Sequence, residues 1–483
     1  EDTDVFAFPR ILSPLLTGIL VLAMIASSAA PARASFTFED EQKLGKEFYE
    51  KLETNKLLIH DPRVDRYISD IGNRIVKQSP VSIFEFRFSV IDSNAINAFA
   101  TPGGYVYLNR GLITLVEDES ELAGVLAHEI AHVNARHIAD IIAKSQKVSI
   151  ATVAAVLAGA FLGGGGDLSA AVTSFSVAAG TSMNLSYSRQ HEEEADRIGM
   201  AYLADTGYDP KGMLDFLRIM RRYQFYSNSI PSYFLTHPGT DERIRYLDGL
   251  LQTTHTRKGR ESIIGNLKRI QVSLLLRSRN PEAVTKELAE ELKKNPNDVD
   301  ILYGLAVSQE RTGAVAASLE NFHRAIGLAP QDEDIVRELG IAYFKSGKTR
   351  EAVTYLNRAL SLDDDNPQTI LYLGRAYSAL GDYRAAIALY ARLDVTQIED
   401  PELLYNMAVA YGKANQPVES HYYFALHFKK KNKWDSALFH FKEALKLVPE
   451  QSDWGRRIAK EIEELSKTKK DGPPPGSRGP LGR

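Results

Sequence analysis

The sequence predicts an α+β fold that is mostly helical, with a small sheet in its first half and an α-solenoid in its second. Three observations carry this expectation. Amphipathic stretches near 38–59 and 62–78 lead into residues 84–90, Phe-Glu-Phe-Arg-Phe-Ser-Val, whose alternation is that of a half-buried strand. A turn at Thr101-Pro102-Gly103-Gly104 introduces a second short strand over 105–108. From about Asn297 the chain repeats itself with a period of 34 residues.

At 483 residues the chain exceeds one ordinary compact domain. Its composition, 44% hydrophobic and 25% charged with a net charge of -4, is that of a globular protein and offers no basic footprint for nucleic acid or an anionic membrane surface. Residues 1–34 read as a signal peptide. Arg10 precedes an apolar run over 11–26, and Ala32-Arg33-Ala34 places small residues at −3 and −1, so cleavage is expected before Ser35. The alternative is an uncleaved membrane anchor. The chain has no cysteine, which excludes a disulfide framework and a thiolate metal site. Any metal must be held by histidines and carboxylates, and export without disulfides points to a bacterial periplasm.

Residues 35–252 are expected to form a helical domain around the small sheet, whose strand edge offers a docking site for an extended peptide. Ser120-Glu121 opens a long helix running to about Lys144, its N-terminus favoured by Glu117, Asp118 and Glu119. Two apolar stretches follow, 148–162 and 168–179, separated by the glycine run 163–166. Each is shorter than the ~20 residues of a spanning helix, so a buried or cleft-lining hairpin is expected, with the glycines allowing a lid to move.

Beyond linker helices at 253–296, the array over 297–450 is built on equivalent positions. Leu305, Leu339 and Leu373 correspond; so do Gly313, Gly347 and Gly381, Ser318, Ala352 and Ala386, and Phe322, Leu356 and Tyr390. Small residues that let two helices approach, large ones that fill the groove between neighbours and a glycine turn are the pattern of tetratricopeptide repeats. Three full repeats are expected, with Pro281–Lys294 as an isolated second helix upstream. Past Asp400 the phase is kept by Met407 and Tyr411, then shifts by half a unit at Phe428, Ala437 and Phe441. Residues 467–483, with three successive prolines, read as a disordered tail.

The chemistry sits in His128-Glu129-Ile130-Ala131-His132. Histidines at i and i+4 share one face of a helix, so both imidazoles can meet one ion while Glu129 acts as general base on a water beside it. That makes the first domain zincin-like, with one Zn2+ per chain as the expected cofactor. Glu192 is the candidate third ligand, and Asp196, one turn later, can fix the tautomer of a ligand histidine. From spacing alone, a solvated helix face is an equal reading of this acidic run. His137, five residues after His132, falls about 140° around a continuous helix and is expected to face away from the metal.

The motif His-Glu-Ile-Ala-His followed some sixty residues later by Glu192-Glu193-Glu194-Ala195-Asp196, with a glycine-rich turn and strand before it, resembles the M48 peptidases. That group contains the CAAX prenyl endopeptidases and a stress-activated protease of the mitochondrial inner membrane. A signal peptide in front and tetratricopeptide repeats behind are similar to its bacterial periplasmic branch. The resemblance implies that Glu192 is the third zinc ligand. It implies that His237, in a His-Pro element, can occupy the open coordination position and keep the enzyme latent, and that Arg243 is a catalytic residue stabilising the tetrahedral oxyanion. It also implies a zinc endopeptidase degrading misfolded or stalled exported polypeptides in outer-membrane quality control. The repeats would then hold substrate, or the β-barrel assembly machinery and its client barrel proteins, and no nucleic acid. An assembly chaperone with a latent metal site and a membrane-embedded M48 protease are the alternatives.

Overall fold

The computed structural model describes residues 36–80, 82–144, 149–162, 186–227, 230–393 and 401–471. The expected signal peptide, the glycine run with the 168–179 stretch, and the tail beyond 471 lie outside the described residues. The chain divides into two compact units, Glu1–Leu267 and Lys268–Arg483, so the expected linker 253–296 is shared between them. No helix among the described residues is long and apolar enough to cross a membrane.

The first unit opens with α1 (Phe38–Thr54), started by a capping box between Thr37 and Asp40, and α2 (Pro62–Val76), capped by Asp61 with proline in its first turn. The sheet comprises β1 (Leu58–Ile59), β2 (Arg87–Ile91), β3 (Ala98–Thr101) and β4 (Tyr105–Asn109), in the order β1-β2-β4-β3. β2 and β4 run parallel, with Ser89 opposite Tyr107; β1 and β3 flank them antiparallel. Sequence alternation locates β2 and β4. It misses β1, which takes the end of the expected first helix, and β3, a short edge strand of four buried residues.

After the single turn α3 (Arg110–Ile113), the sheet leads into α4 (Glu119–Asn134). Every residue of α4 from Glu119 to Val133 is buried, so this is the unit's central helix and carries no solvent-exposed face. A capping box starts it: Asp118 accepts from Glu121 N at 3.1 Å, and Glu121 accepts from Asp118 N at 3.4 Å. The buried carboxylate of Glu119 accepts from Ile263, Ile264 and Gly265 backbone N–H groups at 2.9, 2.7 and 2.7 Å, and from the hydroxyls of Tyr208, Tyr67 and Ser262. These six donors explain how a carboxylate is tolerated there and how 262–265 is tied to the central helix.

The expected continuous helix to Lys144 is corrected. It stops at Asn134, Arg136 adopts a left-handed conformation with φ 57°, and α5 (His137–Lys144) starts in a new direction. Arg136 is held there by Glu41, which accepts from its Nε at 2.8 Å. α6 (Ile150–Leu162) buries Val153, Leu157, Phe161 and Leu162 against Phe48, Phe99 and Tyr107, with Phe161 stacked on Phe99 at 4.5 Å. α7 (Arg189–Thr206) packs on α4 through Gly199, where a Cβ would lie 3.0 Å from the carbonyl carbon and oxygen of Ala127. α8 (Lys211–Ser227), α9 (Ser232–Thr236) and α10 (Thr240–Thr253) complete the helices of this unit among the described residues.

The second unit is a run of helix–turn–helix pairs. α11 (Leu267–Ser278) and α12 (Pro281–Lys294) form the first: Val272 and Leu276 pack with Val284, Leu288 and Leu305, so Pro281–Lys294 is not isolated. Then come α13 (Val299–Arg311), α14 (Val315–Leu328), α15 (Glu333–Lys345), α16 (Thr349–Leu362), α17 (Pro367–Ala379) and α18 (Tyr383–Tyr390). Gly313, Gly347 and Gly381 make the three turns at φ 78°, 78° and 86°, a region closed to most side chains. Arg324, Arg358 and Arg392, also 34 apart, donate to the carbonyls of Pro296, Pro330 and Asp364.

Beyond lie α19 (Pro401–Lys413), α20 (Pro417–Lys430), α21 (Trp434–Lys446) and α22 (Asp453–Asp471). Asn415 takes the glycine's left-handed place in phase, and Asn432 does so 17 residues later, half a period on. Within residues 401–471 the displaced phase is thus a left-handed asparagine at the turn after α20 as well as at the turn before it. α22 continues to Asp471, so the helix extends past the expected start of the tail at 467.

Candidate metal centre

His128 and His132 project from consecutive turns of α4, and their Nε2 atoms lie 2.9 Å apart. Glu192, in the first turn of α7, brings Oε2 to 3.5 Å from His128 Nε2 and Oε1 to 3.6 Å from His132 Nε2. His237 ends α9 and places Nδ1 3.3 Å from His128 Nε2 and 3.1 Å from Glu192 Oε1. All four side chains are buried, and their ligand atoms lie within 4.8 Å of one another.

The donor set fits a metal ion. Four bonds of ~2.0–2.1 Å in a tetrahedron set neighbouring donors about 3.3 Å apart, and the five donor pairs above lie 2.9–3.6 Å apart. The outward nitrogen of each α4 histidine is engaged elsewhere: His128 Nδ1 is 2.9 Å from Asp196 Oδ1, and His132 Nδ1 is 2.8 Å from His137 Nδ1. Both Nε2 atoms therefore face one point, where an ion would displace any proton between them.

Glu129, on the same helix, is fully buried, and neither carboxylate oxygen has a hydrogen-bond partner; Oε1 is 3.6 Å from His237 Nε2. Burial pushes its carboxyl above the usual range, against the opposing charges of His237 and His128. Glu192 behaves oppositely. Burial disfavours its charge, yet Arg243 and His237 hold it well below the usual carboxylate range. Burial and the charge of His128 hold His132 well below its ordinary value, which favours the neutral imidazole a metal requires.

Arg243, in the first turn of α10, is buried. Its Nε and Nη2 donate to the two oxygens of Asp196 at 2.8 and 2.7 Å, and Nη1 lies 2.6 Å from Glu192 Oε2. The guanidinium is thus committed to the carboxylates behind the donor set. Tyr187 stacks on His132 at 3.8 Å between centroids and Tyr233 on His237 at 4.3 Å. A small recess adjoins the centre, bounded by Ala100, Thr101, His132, Arg136 and Tyr187 beside the edge strand β3.

The structure brings together the six residues singled out from the sequence besides Glu129: His128, His132, Glu192, Asp196, His237 and Arg243. Sequence reasoning missed Tyr187 and Tyr233, which carry no spacing signal. It also misplaced His137. Because α4 ends before it, His137 folds back behind His132, stacks on His191 at 4.5 Å and lies 3.3 Å from Glu194. The left-handed arginine responsible has no glycine or proline to announce it.

Residues 62–251 match the peptidase family M48, and residues 271–333 and 343–405 match tetratricopeptide repeats. A putative beta-barrel assembly-enhancing protease of Vibrio cholerae is 36% identical over 214 residues, covering 44% of this chain and 44% of its own length. The beta-barrel assembly-enhancing protease of Escherichia coli K12 is 32% identical over 251 residues, 49% of this chain and 52% of its own. The mitochondrial metalloendopeptidase OMA1 of Schizosaccharomyces pombe is 32% identical over 192 residues, 40% of this chain and 54% of its own. The chain spans about half the length of the curated relatives it matches. It carries a peptidase family M48 domain joined to tetratricopeptide repeats.

Proposed function

We propose that this chain is a zinc-dependent endopeptidase of the cell envelope, acting in the periplasm on misfolded or stalled exported polypeptides in outer-membrane protein quality control. The observation that carries the chemistry is the buried Glu129 carboxylate, without a hydrogen-bond partner, beside four convergent ligand atoms. Zinc held by His128, His132 and Glu192 would polarise the scissile carbonyl and acidify water. Glu129 takes a proton from the attacking water and returns it to the leaving amine. Asp196 holds the tautomer of His128, and Arg243 neutralises Asp196 and Glu192, which makes it a positioning residue. An extended polypeptide would add to β3, the edge strand of the sheet.

His237 occupies a fourth donor position, so the resting site is closed until that side chain moves. The same contact favours a second reading, a periplasmic assembly chaperone whose metal site stays latent. The repeats are proposed to hold substrate or a partner, the β-barrel assembly machinery and its client barrels being the partner this reading favours. Complementation by Glu129→Gln separates the two. Loss of barrel-assembly support supports the protease account, and full support contradicts it. Peptide cleavage that persists when 297–450 is deleted, while assembly support is lost, would assign targeting to the repeats.

A further inference from the structure

We propose that His137 is a positioning residue that holds the metal-binding tautomer of His132 through an imidazole–imidazole–carboxylate relay. The inference rests on the metal-site reading above. For Nε2 of His132 to offer its lone pair to an ion, the ring proton must sit on Nδ1, and that N–H needs an acceptor because the side chain is buried. The atom facing it is His137 Nδ1 at 2.8 Å. Accepting there places the proton of His137 on Nε2, which points to Glu194 Oε2 at 3.3 Å. One set of tautomers therefore satisfies both contacts, and the reverse set would turn a proton toward the metal.

The surroundings fix this arrangement. His137 is 3% exposed, stacks on His191 at 4.5 Å with an interplanar angle of 17°, and His191 Nε2 is anchored by Asp140 at 3.1 Å. Tyr187 stacks on the face of His132 at 3.8 Å between centroids. Placement depends on the left-handed Arg136, which ends α4 and turns His137 back beneath the ligand. The two α4 ligands are thus supported differently: His128 by a carboxylate paired with arginine, His132 by a neutral imidazole. A carboxylate in direct contact raises ligand basicity, whereas the imidazole of His137 orients the ring and keeps the Glu194 carboxylate one ring further from a site that already holds Glu192 and Glu129.

The test compares His137→Asn with His137→Phe in the full chain. Asparagine keeps an acceptor at the place of Nδ1; phenylalanine keeps the stacked ring and removes the acceptor. Zinc affinity is measured by competition with a chromogenic chelator, with the absorption spectrum of the cobalt-loaded protein as a second readout. The expected result is zinc binding weaker by about 10- to 100-fold in His137→Phe, with His137→Asn close to wild type. Thermal unfolding of the metal-free proteins should differ little between the variants. Equal weakening in both, or wild-type affinity in His137→Phe, overturns the relay. A wild-type chain that binds no zinc overturns the metal site itself, and with it this inference.

Discussion

Replacing Arg243 with leucine tests the electrostatic support of the centre. The guanidinium makes two hydrogen bonds to Asp196, at 2.8 and 2.7 Å, and lies 2.6 Å from Glu192. Both carboxylates are at most 1% exposed, so its loss strands two buried negative charges. Removing one partner of a buried pair costs about 3–5 kcal/mol. At about 1.4 kcal/mol per decade, α7 and α10 of the metal-free protein should open roughly two to four decades more often. Hydrogen exchange read by mass spectrometry on peptides of α7 reports this locally. Fluorescence would not, because Trp434 and Trp454 both lie in the second unit. Added zinc should shrink the loss by supplying positive charge beside Glu192, and a second change, Asp196→Leu, should recover part of it. A loss of protection below about tenfold would refute the reasoning.

Three further outcomes follow from the same geometry. The carboxyl of Glu121 is pushed up to about 7 by burial, so folding favours its neutral form; its contribution is intact below the unfolded value and lost as pH rises toward about 7. Glu121→Gln keeps the capping acceptor, so its urea midpoint should exceed wild type at pH 8 and converge with it near pH 4; a pH-independent difference would contradict this. Gly199→Ala forces α7 away from the backbone of Ala127 and should cost about 1–3 kcal/mol and weaken zinc binding; unchanged chelator competition would show that the approach is not tight. His237→Ala opens the fourth position and should raise the cleavage rate, whereas an unchanged or lower rate would refute the latch.

The legible parts are those in which local spacing dictates geometry. Two histidines four residues apart in an apolar helix must share a face, and Glu192 and Asp196 one turn apart must do so too. The repeats were readable because each position recurs in register, as Gly313, Gly347 and Gly381 do. What spacing could not reach is set by tertiary contacts. Glu119 looked like a dipole-compensating residue, but its carboxylate gathers backbone donors from residues more than 140 positions away. Periodicity could not find β3, whose four residues are all buried and therefore do not alternate. His137 was misplaced because a helix was extended through Arg136, which adopts the left-handed region while its side chain donates to Glu41. His237 and Arg243 were singled out through family resemblance, since their approach to His128 closes loops of more than a hundred residues.

The central claim is that Glu129 is the base of a zinc site formed by His128, His132 and Glu192. The most direct measurement is zinc content and cleavage of an unfolded polypeptide, made side by side on wild type and Glu129→Gln. The account predicts equal zinc, about one per chain, with cleavage by the variant slower by roughly 10²- to 10⁴-fold. Cleavage by Glu129→Gln at the wild-type rate, or a wild type that cleaves after zinc is stripped and excluded, would contradict it.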